Sequence, residues 1–149
     1  MKLSTRSRYG TRILVDLALH HGKEPVPIRD IAEREGLSGH YVEQIIIQLK
    51  ASGLIKSFRG ARGGIILARH PSEVRLSEVF QVLEGPTAPV ECVDDEKICP
   101  RSVFCVTREV WMDIKKSIDR VLEAKTLQDL ANRRKEKEQL KTGTGIYYI

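Results

Sequence analysis

Residues 28–68, IRDIAEREGLSGHYVEQIIIQLKASGLIKSFRGARGGIILA, carry the pattern that decides the fold. Ile28, Ile31 and Ala32 repeat at helical spacing and stop at Gly36. Glycine can take the left-handed conformation that a tight helix–helix turn needs. Ser38 is a natural N-cap for the next helix, in which Val42, Ile45, Ile46 and Leu49 form one buried stripe, closed by Gly53. Two short helices joined through a glycine turn make a helix-turn-helix. The second helix leaves His40, Tyr41, Glu43, Gln44, Ile47, Gln48 and Lys50 off the stripe. Glutamine amides match adenine edges, and a glutamate can accept from cytosine. A face that merely meets solvent would look the same, so these residues need support from their surroundings.

The support comes next in the chain. Ile55–Phe58 and Ile65–Ala68 read as two short strands joined by Arg59-Gly60-Ala61-Arg62-Gly63-Gly64, a flexible tip with two arginines. A hairpin directly after the second helix of the motif is the wing of a winged helix-turn-helix. Arg59 and Arg62 are then candidates to enter a minor groove or hold phosphates. A nucleotide phosphate loop is excluded, because no Gly-Lys-Ser/Thr follows the glycines.

Outward from this core, Ser7 to His20 shows an apolar helical face of Tyr9, Ile13, Leu14, Leu17 and Ala18. Leu76, Val79, Phe80 and Leu83 mark a fourth helix ended by Gly85, and Pro86 and Pro89 open an irregular stretch. The longest helical pattern covers residues 102–124, with Val110, Trp111, Ile114, Ile118, Val121 and Leu122 apolar. Pairing with a second copy would use that stripe better than intramolecular packing, since little chain remains to cover it. Thr126-Leu127-Gln128-Asp129 has the form of a capping box opening a last helix. The expected organisation is mainly α with a small β-hairpin wing: a winged helix-turn-helix over 1–85, a cysteine loop over 86–108, a dimerisation helix over 102–124, a C-terminal helix over 125–138 and a flexible tail over 139–149.

Bulk properties agree. The 149 residues suit one compact domain or a small domain plus an extended element. Residues 1–75 carry 13 Lys/Arg against 7 Asp/Glu, whereas residues 76–149 carry 12 against 13. The first half therefore favours a polyanion such as double-stranded DNA. No apolar run approaches a membrane span and no signal-peptide pattern opens the chain, so a cytosolic location is expected.

All three cysteines, Cys92, Cys99 and Cys105, lie in one stretch with the spacing C-x6-C-x5-C. An odd count in a reducing compartment argues for metal or redox chemistry over structural disulfides. Thiolates suit iron–sulfur clusters or zinc, and the close cysteine pair common in structural zinc sites is absent. No nucleophile–base constellation or metal-binding histidine pair points to an enzyme.

The opening MKLSTRSRYG, the stretches PVPIRDIAEREGLSGHYVEQI and GLIKSFRGARGG, and the three later cysteines together resemble the IscR/NsrR/CymR family of winged helix-turn-helix regulators. The resemblance covers nearly the whole chain and implies a homodimeric transcription factor, usually a repressor, with a long dimerisation helix. It assigns Tyr41, Glu43 and Gln44 to the major groove and Arg59 to the minor groove. It also favours an iron–sulfur cluster on the three cysteines, 2Fe–2S ahead of 4Fe–4S. The family's fourth-ligand positions depart here. Arg108 stands where IscR-like proteins have a histidine, and Arg8 where NsrR-like proteins have an aspartate of the partner chain. A guanidinium is no ordinary ligand, which leaves Glu91, Glu109, a histidine or a small molecule. The C-terminal Ile149 resembles the tail that cysteine synthase accepts in its active site, and CymR-type regulators are partners of that enzyme. The implied function is control of iron–sulfur biogenesis genes through cluster status, with control of cysteine and sulfur supply as the alternative.

Overall fold

In the computed structural model, which describes residues 1–144, the chain runs α1 (Thr5–Leu19), α2 (Ile28–Glu35), α3 (Gly39–Ala51), β1 (Ile55–Phe58), β2 (Gly64–Leu67), α4 (Leu76–Leu83), α5 (Val106–Glu123) and α6 (Leu127–Thr144). Single 3-10 turns lie at Pro71–Glu73, Glu91–Val93, Glu96–Ile98 and Ser102–Phe104. The helix-turn-helix forms where its periodicity places it. Gly36 ends α2 at φ 66°, ψ 38°, a left-handed cap that an L side chain would strain. Ser38 then caps α3 by accepting the Tyr41 N–H at 3.2 Å. Val42, Ile45, Ile46 and Leu49 are all buried. Each contributes about 1.5–3 kcal/mol relative to exposure, much of it offset by chain ordering.

β1 and β2 pair antiparallel with Ile55 opposite Leu67 and Phe58 opposite Gly64, so the wing exists, shifted by one residue in its second strand. Val26 extends the ladder: its N–H and C=O bond Ile65 at 2.9 and 2.8 Å, which seats the wing on the turn before α2. The core gathers Ile13, Leu14 and Leu17 of α1, the α3 stripe, and Val74, Val79 and Leu83 around α4.

The C-terminal third differs from the expectation in two respects. First, the long helix starts later: Ser102–Phe104 is a 3-10 turn, and Cys105 occupies the N-cap of α5. Second, α6 continues to Thr144, so residues 139–144 are helical and not a flexible tail. The reciprocal Thr126–Asp129 capping box forms as expected, at 2.8 and 3.2 Å. Beyond it, Arg133–Glu136 and Arg134–Glu138 pairs stabilise successive turns. Ile149 lies outside the described residues.

α6 also does not extend away from the winged domain. Leu127 N–H donates to Val74 O, and Leu76 N–H to Lys125 O, both at 2.9 Å. Leu127 and Ala131 are fully buried in the common core, and α6 packs along α1. Buried charges bind these helices together. Asp16 on α1 receives both arms of the Arg34 guanidinium at 2.8 Å. Glu35 receives Arg12 of α1 and Arg134 of α6, each at 2.8 Å. The carboxylate that precedes the helix-turn-helix turn is thus clamped by the first and last helices.

α5 remains uncovered. Leu122 is its only buried residue among the described ones, while Val110, Trp111 and Val121 are exposed by 53%, 36% and 61%.

Candidate nucleic-acid interface and cysteine segment

The first turns of α3 present the side chains anticipated for DNA. His40, Glu43 and Gln44 are exposed, and Gln44 Nε2 lies 3.1 Å from His40 Nε2. Tyr41 is half-buried. Its ring meets Tyr9 edge-on at 6.0 Å, and the Arg8 and Arg12 guanidiniums lie over the Tyr9 ring at 5.7 and 5.3 Å. This cation–π stack braces the start of the recognition helix while keeping two positive charges close to it. An open cleft brings Tyr41, Gln44 and Gln48 together with Ser4, Thr5 and Arg6 of the N-terminus. Arg6 was not among the candidates from sequence. Only the docking of α1 beside α3 puts it there, and the density of arginines in residues 6–12 was the available signal. Arg59 and Arg62 are exposed at the wing tip.

Gln48 behaves differently from its neighbours. Its side chain turns to α4 and donates Nε2–H to the Val82 carbonyl at 2.6 Å. The periodicity of α3 leaves Gln48 off the apolar stripe, but α4 packs against that edge of the helix and engages the amide.

The cysteine segment is held at both ends. The Thr87 hydroxyl donates to Asp119 Oδ1 at 2.5 Å, and Lys115 pairs with the same carboxylate at 2.7 Å. Those two contacts, Lys115 first, hold the Asp119 carboxyl below the usual carboxylate range. Arg108 donates Nε–H to the Cys92 carbonyl at 2.8 Å, tying the first cysteine's turn to α5. Arg108 therefore fastens the segment rather than ligating through it.

The three thiols are free and partly exposed. Cys92 sits in one 3-10 turn, Cys99 ends the next, and Cys105 begins α5. The Thr107 hydroxyl, 3.2 Å from Cys105 Sγ, and then the Arg108 backbone N–H lower that thiol from its ordinary value. In kind the donors fit an iron–sulfur cluster, being three soft sulfurs with none committed to a disulfide. In position they are not gathered: among the described residues, no three His, Cys, Asp or Glu side chains group as a metal site. The physical cause is local, since each turn satisfies its own backbone, as in Ile98 N–H to Asp95 O and Ser102 N–H to Cys99 O. Glu91 and Glu109 are exposed, and Arg8 stacks on Tyr9.

A helix-turn-helix with its third helix presented, an arginine-tipped wing and a basic flank define a winged-helix DNA-binding protein. The comparisons make the class specific: the chain belongs to the Rrf2 family, described as iron-dependent transcriptional regulators, whose profile matches residues 3–133. Protein rrf2 of Nitratidesulfovibrio vulgaris is 45% identical over 130 residues, covering 87% of each chain. The HTH-type transcriptional regulator CymR of Bacillus subtilis is 41% identical over 132 residues, covering 89% of this chain and 91% of its own. The structure of CymR, the global cysteine regulator of B. subtilis, superposes with a TM-score of 0.76, at 39% identity and 89% and 98% coverage. That of T. potens IscR does so with a TM-score of 0.76, at 42% identity and 92% and 90% coverage. The chain is accordingly a DNA-binding transcriptional regulator and not an enzyme. No helix among the described residues is long and apolar enough to cross a membrane.

Proposed function

We propose that this regulator is a homodimeric repressor that senses iron–sulfur status through Cys92, Cys99 and Cys105. The observation that carries the reading is the confinement of every cysteine to one segment, joining α4 of the DNA-binding domain to α5. The family description as iron-dependent supports it. A bound cluster, 2Fe–2S ahead of 4Fe–4S, supplies a redox-sensitive crosslink among three points of the segment. The chain's own part is to bring the thiols together, which requires the 3-10 turns to reorganise. Arg108 and the Thr87–Asp119 bond keep the segment on α5 while they do. His40, Tyr41, Glu43 and Gln44 read the major groove, and Arg59 and Arg62 hold the minor groove or phosphates. Glu43 discriminates among sites, because its charge is repelled by phosphates unless a cytosine amine satisfies it. A second copy covers the exposed face of α5, pairing the two reading helices for a two-fold operator.

Anaerobic purification with iron and sulfide quantified is the test. A coloured protein whose colour is lost in Cys99→Ala is expected; a colourless protein with stoichiometric zinc would refute the reading. A second reading, regulation of cysteine and sulfur supply with cysteine synthase as partner, draws on the 41% identity to CymR and on the resemblance of the C-terminal Ile149 to a tail that cysteine synthase accepts. Deleting Ile149 should then abolish cysteine synthase binding, and unchanged binding rules out that contact.

A further inference from the structure

The last turn of α4, Val82-Leu83-Glu84, touches both the recognition helix and the N-terminus of α1, and leads directly into the cysteine segment. Its Val82 carbonyl accepts from Gln48 of α3 at 2.6 Å. Its Leu83 side chain is buried where Gly10 of α1 has no side chain. A Cβ there would stand 2.6 Å from Leu83 Cδ1 and 3.4 Å from Ile45 Cγ2 of α3. Its Glu84 carboxylate accepts from the Ser4 backbone N–H at 3.2 Å, from the Ser4 hydroxyl at 2.7 Å and from the buried Ser7 hydroxyl. These bonds, Ser7 first, hold the Glu84 carboxyl below its usual range. Glu84 thereby satisfies the N–H of Ser4, the N-cap of α1, where a negative charge also suits the helix dipole. One residue on, Gly85 turns at φ 90° into Pro86, and Thr87 is bonded to α5.

We infer that Gln48 is a positioning residue rather than a base reader: its bond to Val82 sets the recognition helix against the α4 turn that feeds the cysteine segment. The inference rests on α3 being the helix that reads DNA, and adds how its orientation is set. A long amide spent on an intramolecular carbonyl at 2.6 Å offers little to a base edge. A movement that shifts Pro86 must shift Val82 and Glu84 with it, since the last helical turn is hydrogen-bonded through Glu84 and Gly85 N–H to Phe80 O at 2.8 and 3.1 Å. Because α3 and the start of α1 hold that same turn, its displacement changes the angle and separation at which two recognition helices meet their half-sites. Coupling of this kind is reciprocal: operator binding must in turn steady the α4 turn.

The test uses the full chain and Gln48→Met, which keeps the length and removes the donor, with Gln48→Lys as a variant that restores a donor. Duplexes are selected from a randomised library, and amide exchange is followed at Val82–Gly85 with and without the selected operator. The expected result for Gln48→Met is unchanged base preference at every position, a broadened choice of half-site spacing, about tenfold weaker binding, about 1.4 kcal/mol, and faster exchange at Val82–Gly85 that operator no longer slows. Gln48→Lys should recover the spacing preference. Loss of preference at a single base pair per half-site, with exchange at Val82–Gly85 unaltered, would overturn the proposal. Gln44→Ala separates the underlying reading: if it leaves selection unchanged, α3 is not the reading helix, whereas the exchange result still decides whether Gln48 grips α4.

Discussion

Replacing Arg34 with alanine should cost more stability than replacing Asp16, its partner, although both substitutions delete the same ion pair. The two ends of the pair differ in their access to water. The Asp16 side chain is 1% exposed and that of Arg34 35%. Both guanidinium bonds measure 2.8 Å, and the hydrogen bond to Asp16 raises the Arg34 pKa. Arg34→Ala strands a carboxylate in the core between α1 and α2, where among the described residues it keeps His20 Nδ1 at 3.9 Å and the longer-range attraction of Arg134. Breaking a buried pair from that side costs about 3–5 kcal/mol. Asp16→Ala instead leaves a guanidinium one-third in solvent, which rehydrates by moving outward, so about 1–2 kcal/mol is expected. Replacing both, as Asp16→Leu with Arg34→Met, should cost less than Arg34→Ala alone, because no charge stays buried. Urea unfolding followed by far-UV circular dichroism at fixed protein concentration measures all three, the fixed concentration removing any contribution from dimer dissociation. Equal losses from the two single variants, or losses below about 1 kcal/mol in both, would refute the reasoning from burial.

Glu84→Gln should lower stability by about 0.5–1 kcal/mol at pH 7, discounted for solvent screening of an exposed carboxylate. The folded-state pKa of Glu84 is depressed, so its contribution is present above the unfolded value, near 4.3, and is lost as pH falls through the folded value. The difference between wild type and variant should therefore shrink below about pH 4, as urea midpoints across pH 2–7 would record. Arg59→Ala combined with Arg62→Ala should flatten the dependence of DNA affinity on salt by about 1–2 units of the log–log slope, measured by fluorescence anisotropy; an unchanged slope would remove both residues from the interface. Leu127→Ala, at a fully buried position, should cost about 2–5 kcal/mol and speed amide exchange along α6; slow exchange in that variant would show that α6 is held elsewhere.

Much of the DNA-binding half was legible because its signals are short-range. The α2 and α3 limits follow from an apolar period, a glycine at the turn and a serine cap, all within a few residues of one another. The hairpin follows from two apolar runs around a glycine-rich tip. Residues 139–144 continue α6 past its expected end, and Arg133–Glu136 and Arg134–Glu138 turn the charges before them into pairs along the helix. The thiols were legible by number and spacing alone, and their separation into successive turns reflects local backbone bonds that spacing does not encode.

By itself the sequence determined which segments form helices and strands, which stripe of each is apolar, where positive charge concentrates and which segment holds the sulfur. These depend on residues within about one helical turn of each other. Tertiary structure alone decided that α6 returns to α1, that Asp16 and Glu35 are buried with arginines, and that Gln48 faces Val82 rather than open solvent. A half-buried polar side chain takes its role from the element packed beside it, and that element lies 34 residues away from Gln48 and 99 from Glu35.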